Sequence, residues 1–535
     1  MKHISIDQAM KRPLIAGVAL IVAVISLVSA QAGINIDRES YVRSGGTLDL
    51  FPGDVFHTWG DTVINAMEFN NHGIDVNVDG NFQIGTTSWC QYQQWGGTLN
   101  VGGYLSIGRY GGSSAAMDIY GGTVNSYNRQ IIVGEEGTGY LSLSGGSIYS
   151  YDGLSLGQNR GWGGVYLNSG NAMVGGIWKG SGSGELIMNG VWITAQRGNW
   201  DFISGLNLAR IDGGNAYINN NGYHIGINQT LSGTGGANFY GNFATTLRQN
   251  NTYSGDTVVN AGALDFYESG SLYNNGTEAG NIYVQSGASL HLNRDNIFGN
   301  ADTGSTSPVS ITVNGGLINN GNGGVTGGGT FNNLAKLTLN GGELRANGGA
   351  DYGWNAYELN NVTVGGTNAS TITANTSLNS NNAILLSRAG TTTFNVGVTG
   401  DARGDLLVSA NLIDGNGVVG SLTKTGLGTM VLSGNNTYTG TTTIASGVLD
   451  FVNANSLYNG TAGSWIASNI TVRNGATLAL GVGGVDSFST DNVETIIANL
   501  SGTAGQGFLA GSSIGFDTTA GNFNATNRIT DSVNG

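Results

Sequence analysis

The chain has 535 residues, of which 93 are glycine, 3 are proline and 10% are charged. This balance excludes collagen, which needs glycine at every third position with abundant proline, and an intrinsically disordered chain, which would carry more charge and fewer Val, Ile, Leu and Tyr residues. The net charge of −14 disfavours nucleic-acid binding, because phosphate contacts need clustered Lys and Arg. The single cysteine, Cys90, excludes an intramolecular disulfide framework.

The start of the chain, positions 1–32, has the pattern of an export signal. Basic residues in it are confined to positions 2–12, an apolar run follows at 14–28, and Ala30 and Ala32 form the small-x-small pattern that signal peptidase accepts. The apolar run is shorter than the ~18 residues that a membrane-spanning helix needs. We therefore expect a cleaved signal peptide rather than a membrane anchor, and the sequence after it contains no second apolar segment of that length.

The next segment, residues 33–230, is punctuated by glycine pairs. The second glycines of three successive pairs, Gly97, Gly122 and Gly146, recur at a nearly constant interval, and short runs of alternating apolar and polar residues lie between them. Alternation places one face of a strand inward, and glycine permits the left-handed backbone at which the chain turns. A unit of ~20–25 residues with two or three short strands is typical of one coil of a parallel β-helix.

We therefore predict an all-β protein, a right-handed parallel β-helix (β-solenoid) of short strands punctuated by glycine. The alternatives are a β-propeller or a string of β-sandwiches. Propeller blades of ~40–45 residues with four antiparallel strands do not match the shorter repeat.

Two later stretches, residues 250–266 and 435–451, are near-copies of each other. Both begin with Asn-Asn-Thr-Tyr and both continue to a Ser-Leu-Tyr-Asn phrase, at 271–274 and 456–459. Asn and Gly tolerate the left-handed backbone of a corner, and asparagine side chains can form ladders along a stack. The positions that we assign to the repeat motif are Asn251, Tyr253, Gly255, Gly262, Leu264, Lys424, Thr425, Gly426, Gly428, Gly434, Asn436, Tyr438, Gly440, Gly447 and Leu449.

The second copy, extended over residues 422–449, resembles the autotransporter-associated β-strand repeat, also called the passenger-associated transport repeat. The first copy departs from that pattern, because Ala244–Leu247 stand where its Lys-Thr-Gly phrase is expected. The resemblance implies a repeat that assists the export and folding of a secreted β-helical passenger. It implies a location at the cell surface or outside the cell, with outer-membrane association if a membrane barrel is missing from this chain.

The repeats divide the rest of the chain into three segments. Residues 231–300 form a first repeat region, 301–414 further β-helix coils, and 415–535 a second repeat region. The last phrases of the chain, from Ser513 onward, resemble the lead-in to another repeat, so we expect the chain to stop in the middle of a repeat.

Signals for catalysis are weak. The five histidines are scattered without the spacing of metal ligands, Cys90 has no adjacent histidine to act as its base, and the Glu135–Glu136 pair has the character of a solvated turn. We predict no catalytic, metal or cofactor site.

Two features are candidates for partner binding. Arg403-Gly404-Asp405 is the tripeptide that integrins recognise, although chance accounts for it more readily than function. Seven of the nine tryptophans, Trp162 among them, lie between residues 59 and 200, where exposed rings would stack on sugars and buried rings would pack in the core.

The sequence predicts an exported, non-enzymatic surface or secreted protein that acts as a monomeric β-helical stalk or adhesin. Its expected partners are surface glycans or proteins of host or neighbouring cells, with no nucleic acid. The alternative is a β-helix that binds or degrades polysaccharide, which a line of tryptophans and acids on one wall would favour.

Overall fold

The described part of the chain is one continuous stack of parallel coils. The computed structural model describes residues 33–272, 280–298, 309–320, 330–347, 356–375, 382–415, 417–525, 529 and 531–534. The signal-peptide prediction, with Ala30 and Ala32, lies outside these residues. Every strand pairing within them is parallel; an isolated bridge between Gly415 and Val418 is antiparallel. The structure therefore confirms an all-β parallel solenoid.

A complete coil contributes one strand to each of three walls. In the coil that begins at Ser114, residues Ser114–Ile119 belong to the first wall, Thr123–Ser126 to the second wall and Ile131–Val133 to the third wall. Each strand pairs in register with the equivalent strand of the next coil, so that Ile131 stands beside Leu154. Four long strands run through the corner from the first wall to the second and join these two walls into one sheet.

The first wall consists of Thr47–Leu50, Ser114–Ile119, Thr138–Leu143, Trp162–Leu167, Ser183–Met188, Leu208–Ile211, Ser232–Gly233, Asn250–Asn251, Ser271–Leu272, Ala383–Leu386 and Asn411–Ile413, together with the starts of the four long strands. The second wall, with the four long strands included, consists of Asn35–Arg38, Val55–Thr58, Glu68–Val78, Cys90–Val101, Thr123–Ser126, Ser147–Ser150, Asn171–Val174, Trp192–Ala195, Ala216–Asn219, Ala237–Tyr240, Thr257–Val259, Ile282–Val284, Ser310–Asn314, Asn332–Asn340, Ala356–Gly365, Thr391–Val396, Ser421–Thr425, Thr442–Ile444, Ile470–Val472 and Gly507–Phe508.

The third wall consists of Tyr41–Ser44, Thr62–Asn65, Phe82–Ile84, Leu105–Ile107, Ile131–Val133, Leu154–Leu156, Ile177–Lys179, Asn199–Ser204, Ile225–Asn228, Ala244–Leu247, Ala263–Phe266, Ser289–Leu292, Leu317–Asn320, Glu343–Ala346, Ser370–Ala374, Leu406–Val408, Thr429–Leu432, Gly447–Phe451, Ala476–Gly481 and Ser513–Asp517. The helices are the α-helix Thr490–Ser501 and the 3₁₀ turns Gln158–Arg160, Ala454–Ser456, Tyr458–Gly460 and Ala462–Ser464. None of the helices in the described residues is long and apolar enough to cross a membrane.

The interior is a set of apolar columns parallel to the stack. Leu105, Ile131, Leu154 and Ile177 occupy the same inward position in successive coils of the third wall and are completely buried. Full burial of such a side chain stabilises the fold by about 1.5–3 kcal/mol. The alternating apolar and polar residues of each strand therefore point in turn to this core and to the outer face.

The glycine pairs mark the corner between the first and second walls. Gly97 and Gly122 have φ of 65° and 74°, in the left-handed region that other residues avoid. A Cβ atom on Gly122 would collide with the carbonyl oxygen of Gly97 in the preceding coil. The second glycine of the phrase is thus required by both its backbone angle and the close approach of neighbouring coils.

Outside the core, amide side chains form ladders along the stack. Asn100 donates to Asn77 at 2.9 Å, and Asn125 donates to Asn100 at 2.8 Å. A ladder of this kind ties each coil to the next without burying a charge.

Candidate functional site

The corner of the first repeat contains a buried asparagine that joins three coils. The Oδ1 atom of Asn251 accepts a hydrogen bond of 3.0 Å from the backbone N–H of Leu231, in the preceding coil. Its Nδ2 atom donates to the carbonyl oxygen of Gln249 at 2.8 Å and to that of Ser271, in the following coil, at 3.4 Å. Asn251 is 2% exposed and its bonds to Leu231 and Ser271 are buried, so these two backbone groups have no water to pair with.

The second repeat reproduces this arrangement. Asn436 accepts a hydrogen bond of 2.8 Å from the N–H of Leu412 and donates one of 2.7 Å to the carbonyl oxygen of Ser456. Asn436 is completely buried. We call each buried asparagine, with its partners in the coils before and after, an asparagine clamp. In both repeats, the carbonyl oxygen of the clamp belongs to the serine of the Ser-Leu-Tyr-Asn phrase, Ser271 or Ser456.

The tyrosine two residues after each clamp asparagine has the same hydrogen-bond partner in both repeats, a threonine four residues further along the chain. The hydroxyls of Tyr253 and Thr257 are 2.7 Å apart, as are those of Tyr438 and Thr442. In the second repeat, the hydroxyl of Tyr458 joins this pair 2.9 Å from that of Thr442. Burial raises the pKa of Tyr253 and Tyr438 well above the ordinary value and that of Tyr458 to about 12. These rings are neutral hydrogen-bonding parts of the core.

Both repeats then turn at a glycine into the third wall. Gly262 and Gly447 both have φ of 67°, and Leu264 and Leu449, two residues later, are fully buried. The other glycines assigned to the motif leave no room for a Cβ atom against the preceding coil: Gly255, Gly426, Gly428, Gly434 and Gly440. Thr425 is half-buried and donates from Oγ1 to the carbonyl oxygen of Phe394 at 3.4 Å.

The register corrects one alignment made from the sequence. Ala237 pairs with Thr257 as Leu422 pairs with Thr442, which places Phe239 where the second repeat has Lys424. Residues Ala244–Leu247 correspond to Thr429–Leu432, not to the Lys-Thr-Gly phrase. The same 185-residue offset that relates the two Asn-Asn-Thr-Tyr corners also relates these upstream residues, so the two repeats align without a gap.

Lys424 occupies an inward position of the second wall and is completely buried. Its Nζ atom donates to the carbonyl oxygens of Thr425 at 3.0 Å, Gly426 at 2.9 Å and Ser446 at 3.0 Å. Burial lowers its pKa to about 8, although the charge of Asp405 opposes this shift. The lysine therefore binds the turn of its own coil to the turn of the next coil.

The two repeats carry equivalent acids on the third wall in different environments. Asp265 lies beside His291 of the next coil, with 2.6 Å between Oδ1 and Nδ1. Asp450 lies beside Ala479 instead, and burial followed by the charge of Asp517 raises its pKa to about 6. No local sequence signal distinguishes these acids, because their partners depend on the coil register.

The Arg-Gly-Asp tripeptide does not present its acid. Asp405 is 5% exposed, and its carboxylate accepts hydrogen bonds from Thr399 and from the backbone N–H of Thr429 at 2.6 Å. Burial opposes ionisation of Asp405, but these hydrogen bonds outweigh it and hold its pKa below the ordinary value. Arg403 forms a two-bonded ion pair with Asp401 at 3.0–3.1 Å, and Gly404 has φ of 126°. Of the three residues of the tripeptide, only Arg403 is therefore exposed.

Tryptophans of the described residues occur on each of the three walls. Trp162 starts a first-wall strand, is half-buried, and packs against Tyr140 with 5.0 Å between ring centroids. Trp192 lies on the second wall, stacked on Tyr217 at 5.1 Å and 18°, whereas Trp200 lies on the third wall. The structure does not bring these rings together into one line.

The remaining chemical candidates are separate from the clamps. Cys90 is fully buried, and burial raises its pKa. Within the described ranges, His, Cys, Asp and Glu residues form no group of three or more that could hold a metal ion.

The described residues define a class of protein, the parallel β-solenoid, and its buried asparagine corner occurs twice in them. Residues 244–266 and 422–451 match the family model of the passenger-associated-transport-repeat. Each match covers two third-wall strands and the clamp asparagine between them, Asn251 or Asn436, whereas the partners of the clamp in the coils before and after lie outside the matched residues. No curated protein and no solved structure matches the chain. The two repeats and the solenoid together fit an autotransporter passenger-like protein, and the repeat family indicates export to the cell surface or the extracellular space.

Proposed function

We propose that this chain is an exported, non-enzymatic β-solenoid that acts as a stalk or adhesin of passenger type. Support comes from the uninterrupted ladder of the third wall, which extends from Tyr41–Ser44 to Ser513–Asp517. A stack in which each coil contacts only its neighbours forms a rod with long side walls. Such a rod separates whatever it presents from the surface that carries it.

The partners proposed for these walls are surface glycans or proteins of host or neighbouring cells. The protein is proposed to act as a monomer at the cell surface or outside the cell. Association with the outer membrane is part of the same proposal.

The asparagine clamps carry the proposed role of the repeats in folding and export. Asn251 and Asn436 each bind the coil before and the coil after their own. A clamp therefore forms only when three successive coils are in register. Once formed, it gives the following coil a fixed template, which favours ordered addition of coils as the chain emerges from a membrane.

Export kinetics in a Gram-negative host test this role. The full chain would be expressed with its own residues 1–32, and the appearance of protease-resistant solenoid outside the cytoplasm would be followed over time. We expect Asn251→Ala and Asn436→Ala to be exported but to acquire resistance several-fold more slowly than the wild type. The matched control is Asn168→Ala. Asn168 is exposed, directly follows a first-wall strand, and its side-chain amide donates only a long hydrogen bond of 3.4 Å to Ser144.

Equal rates for both clamp variants and the control would contradict the folding role. Small-angle scattering from the purified protein tests the rod itself, since a monomeric solenoid gives an elongated particle whose length does not change with concentration. A compact or concentration-dependent particle would contradict the monomeric stalk.

A further inference from the structure

A polar groove follows the outer face of the third wall in the N-terminal half. Its floor includes Ser106 and Ile132, which are paired in register in adjacent coils and are 1% and 5% exposed. The sides consist of residues that flank the third-wall strands in successive coils, so the groove runs parallel to the stack. The groove is lined by Asn81, Tyr104, Ser106, Arg109, Gln130, Ile132, Glu135 and Gln158.

One side of the groove carries a charge pair of opposite sign. The Oε2 atom of Glu135 accepts a hydrogen bond of 2.8 Å from the hydroxyl of Ser106 and lies 3.8 Å from the Nε atom of Arg109. Arg109 is stacked over the ring of Tyr110 at 5.1 Å, which fixes its position. Its Nε atom is nevertheless buried without a hydrogen-bond partner in the described part of the chain. The sequence predicts a solvated turn at Glu135, whereas Glu135 is half-buried beside Arg109 in the structure.

The rest of the groove supplies amides and an aromatic ring. Gln130 donates to Gln158 across one coil at a long 3.4 Å, so each amide keeps further capacity for hydrogen bonds. Tyr104 is 39% exposed, and the guanidinium of Arg129 lies 5.3 Å from its ring centre. The ring therefore has a fixed orientation while a large part of its surface stays open.

We infer that this groove binds a neutral, extended glycan. A sugar hydroxyl is at once a donor and an acceptor, so it can pair with Arg109, Glu135 and the amides in turn. The C–H face of a sugar ring packs against an exposed phenol ring such as that of Tyr104. Successive coils along the groove are ~4.8 Å apart, and this distance is close to the length of one hexose unit in an extended chain.

Other polymers fit this groove less well. A peptide that binds a sheet by strand addition needs a free strand edge, but Leu105–Ile107 is paired on both sides, with Phe82–Ile84 and Ile131–Val133. A polyanion is disfavoured because the groove charges cancel and the whole protein carries −14. The inference names one of the glycan partners proposed above, and it is independent of the role of the clamps in folding.

Calorimetric titration of the full-length protein with neutral hexasaccharides tests the site. The probes are the β-1,4-linked glucose, β-1,4-linked xylose, β-1,4-linked N-acetylglucosamine and α-1,4-linked glucose hexamers. We expect at least one to bind with a dissociation constant of about 10 μM to 1 mM. Arg109→Ala and Glu135→Gln are each expected to weaken that binding at least tenfold. Glu135→Gln keeps an oxygen for Ser106 and so preserves the local fold.

The matched control is Arg210→Ala, which removes an exposed arginine of the first wall that pairs with Asp212 at 2.6 Å, outside the groove. It is expected to bind like the wild type, and thermal unfolding would verify that all variants fold. Three results would overturn the inference: no binding of any hexamer at millimolar concentration, equal binding by the groove variants and the wild type, or binding that is lost instead in Trp192→Ala. Polygalacturonate bound in preference to every neutral hexamer would overturn the assignment to neutral glycans. None of these results would alter the export test of Asn436.

Discussion

Asn436 and Ser456 are 20 residues apart in the chain, yet the Nδ2 atom of Asn436 donates a hydrogen bond of 2.7 Å to the Ser456 carbonyl oxygen. The same asparagine accepts a bond from the N–H of Leu412, 24 residues before it. One side chain therefore satisfies buried backbone groups of two neighbouring coils. The copy at Asn251 shows that this geometry belongs to the repeat and not to one position.

Removal of the clamp amide is expected to destabilise the second repeat. In Asn436→Ala, the N–H of Leu412 and the carbonyl oxygen of Ser456 lose their partners inside the core, at about 1–3 kcal/mol for each unpaired group. Urea unfolding followed by tryptophan fluorescence measures the loss, because buried Trp465 donates to the carbonyl oxygen of Leu457 beside the clamp.

The first clamp offers a comparison of strength. Asn251→Ala is expected to cost less, since the bond to Ser271 is already long at 3.4 Å. Asn168→Ala should change the free energy of unfolding by less than about 0.5 kcal/mol, as for other exposed substitutions. A midpoint for Asn436→Ala that equals that of this control would show that the clamp bonds add nothing to stability.

Lys424 predicts a rise of stability with pH. Its pKa is about 8 in the folded protein and 10.5 ordinarily, so between these values the unfolded chain binds more protons than the folded chain. The free energy of unfolding therefore increases as pH rises from about 8 to 10.5. Lys424→Met removes this contribution, and its urea midpoint should rise less than that of the wild type between pH 7.5 and pH 10.

The control for Lys424 is Lys336→Met, an exposed lysine on the same wall. This variant should keep the full pH dependence of the wild type. Parallel midpoint curves for Lys424→Met and the wild type would mean that Lys424 has an ordinary pKa in the folded protein.

Much of the fold was predictable because its rules are local. Alternation along strands such as Thr138–Leu143 specifies an inner and an outer face, and the second glycine of each pair specifies a corner. The near-copies also located Asn436 and Tyr438. Their roles were not predictable, because their partners lie in neighbouring coils and coil length varies along the chain. Leu264 is paired with Leu290 in the next coil, and Met430 is paired with Leu449 in the next coil. The coil that begins at Met430 is the shorter of the two. The pairing of His291 with Asp265, and of Glu135 with Ser106, depends on this register and has no local signal.

Asp450 predicts the opposite pH trend. Its pKa is raised from 3.8 to about 6, so between these values the folded chain binds more protons than the unfolded chain. Stability therefore falls as pH rises from about 4 to 6. Asp450→Asn should be more stable than the wild type at pH 7.5, on the order of 2 kcal/mol, and should lose that advantage at pH 4.

Thermal unfolding of Asp450→Asn at the two pH values measures this difference. The exposed Asp75, replaced in Asp75→Asn, is the matched control and should show no such gain at pH 7.5. An Asp450→Asn variant that is equally stabilised at pH 4 and pH 7.5 would show that the gain comes from packing rather than from the carboxylate.

Asp405 predicts that the Arg-Gly-Asp tripeptide does not bind integrins. An integrin needs the aspartate carboxylate to be accessible, but this one is engaged by Thr399 and Thr429. The wild-type protein is expected not to bind to immobilised integrin. A fibronectin fragment that binds to the same integrin surface is the positive control.

Asp405→Asn should lower the free energy of unfolding by about 1–3 kcal/mol, because charged acceptors of buried backbone N–H groups form stronger hydrogen bonds than neutral ones. Arg403→Ala, which removes a mostly exposed side chain, should leave stability nearly unchanged. Capture of the wild type that a free Arg-Gly-Asp peptide abolishes would show that the turn opens in solution and that the tripeptide is functional.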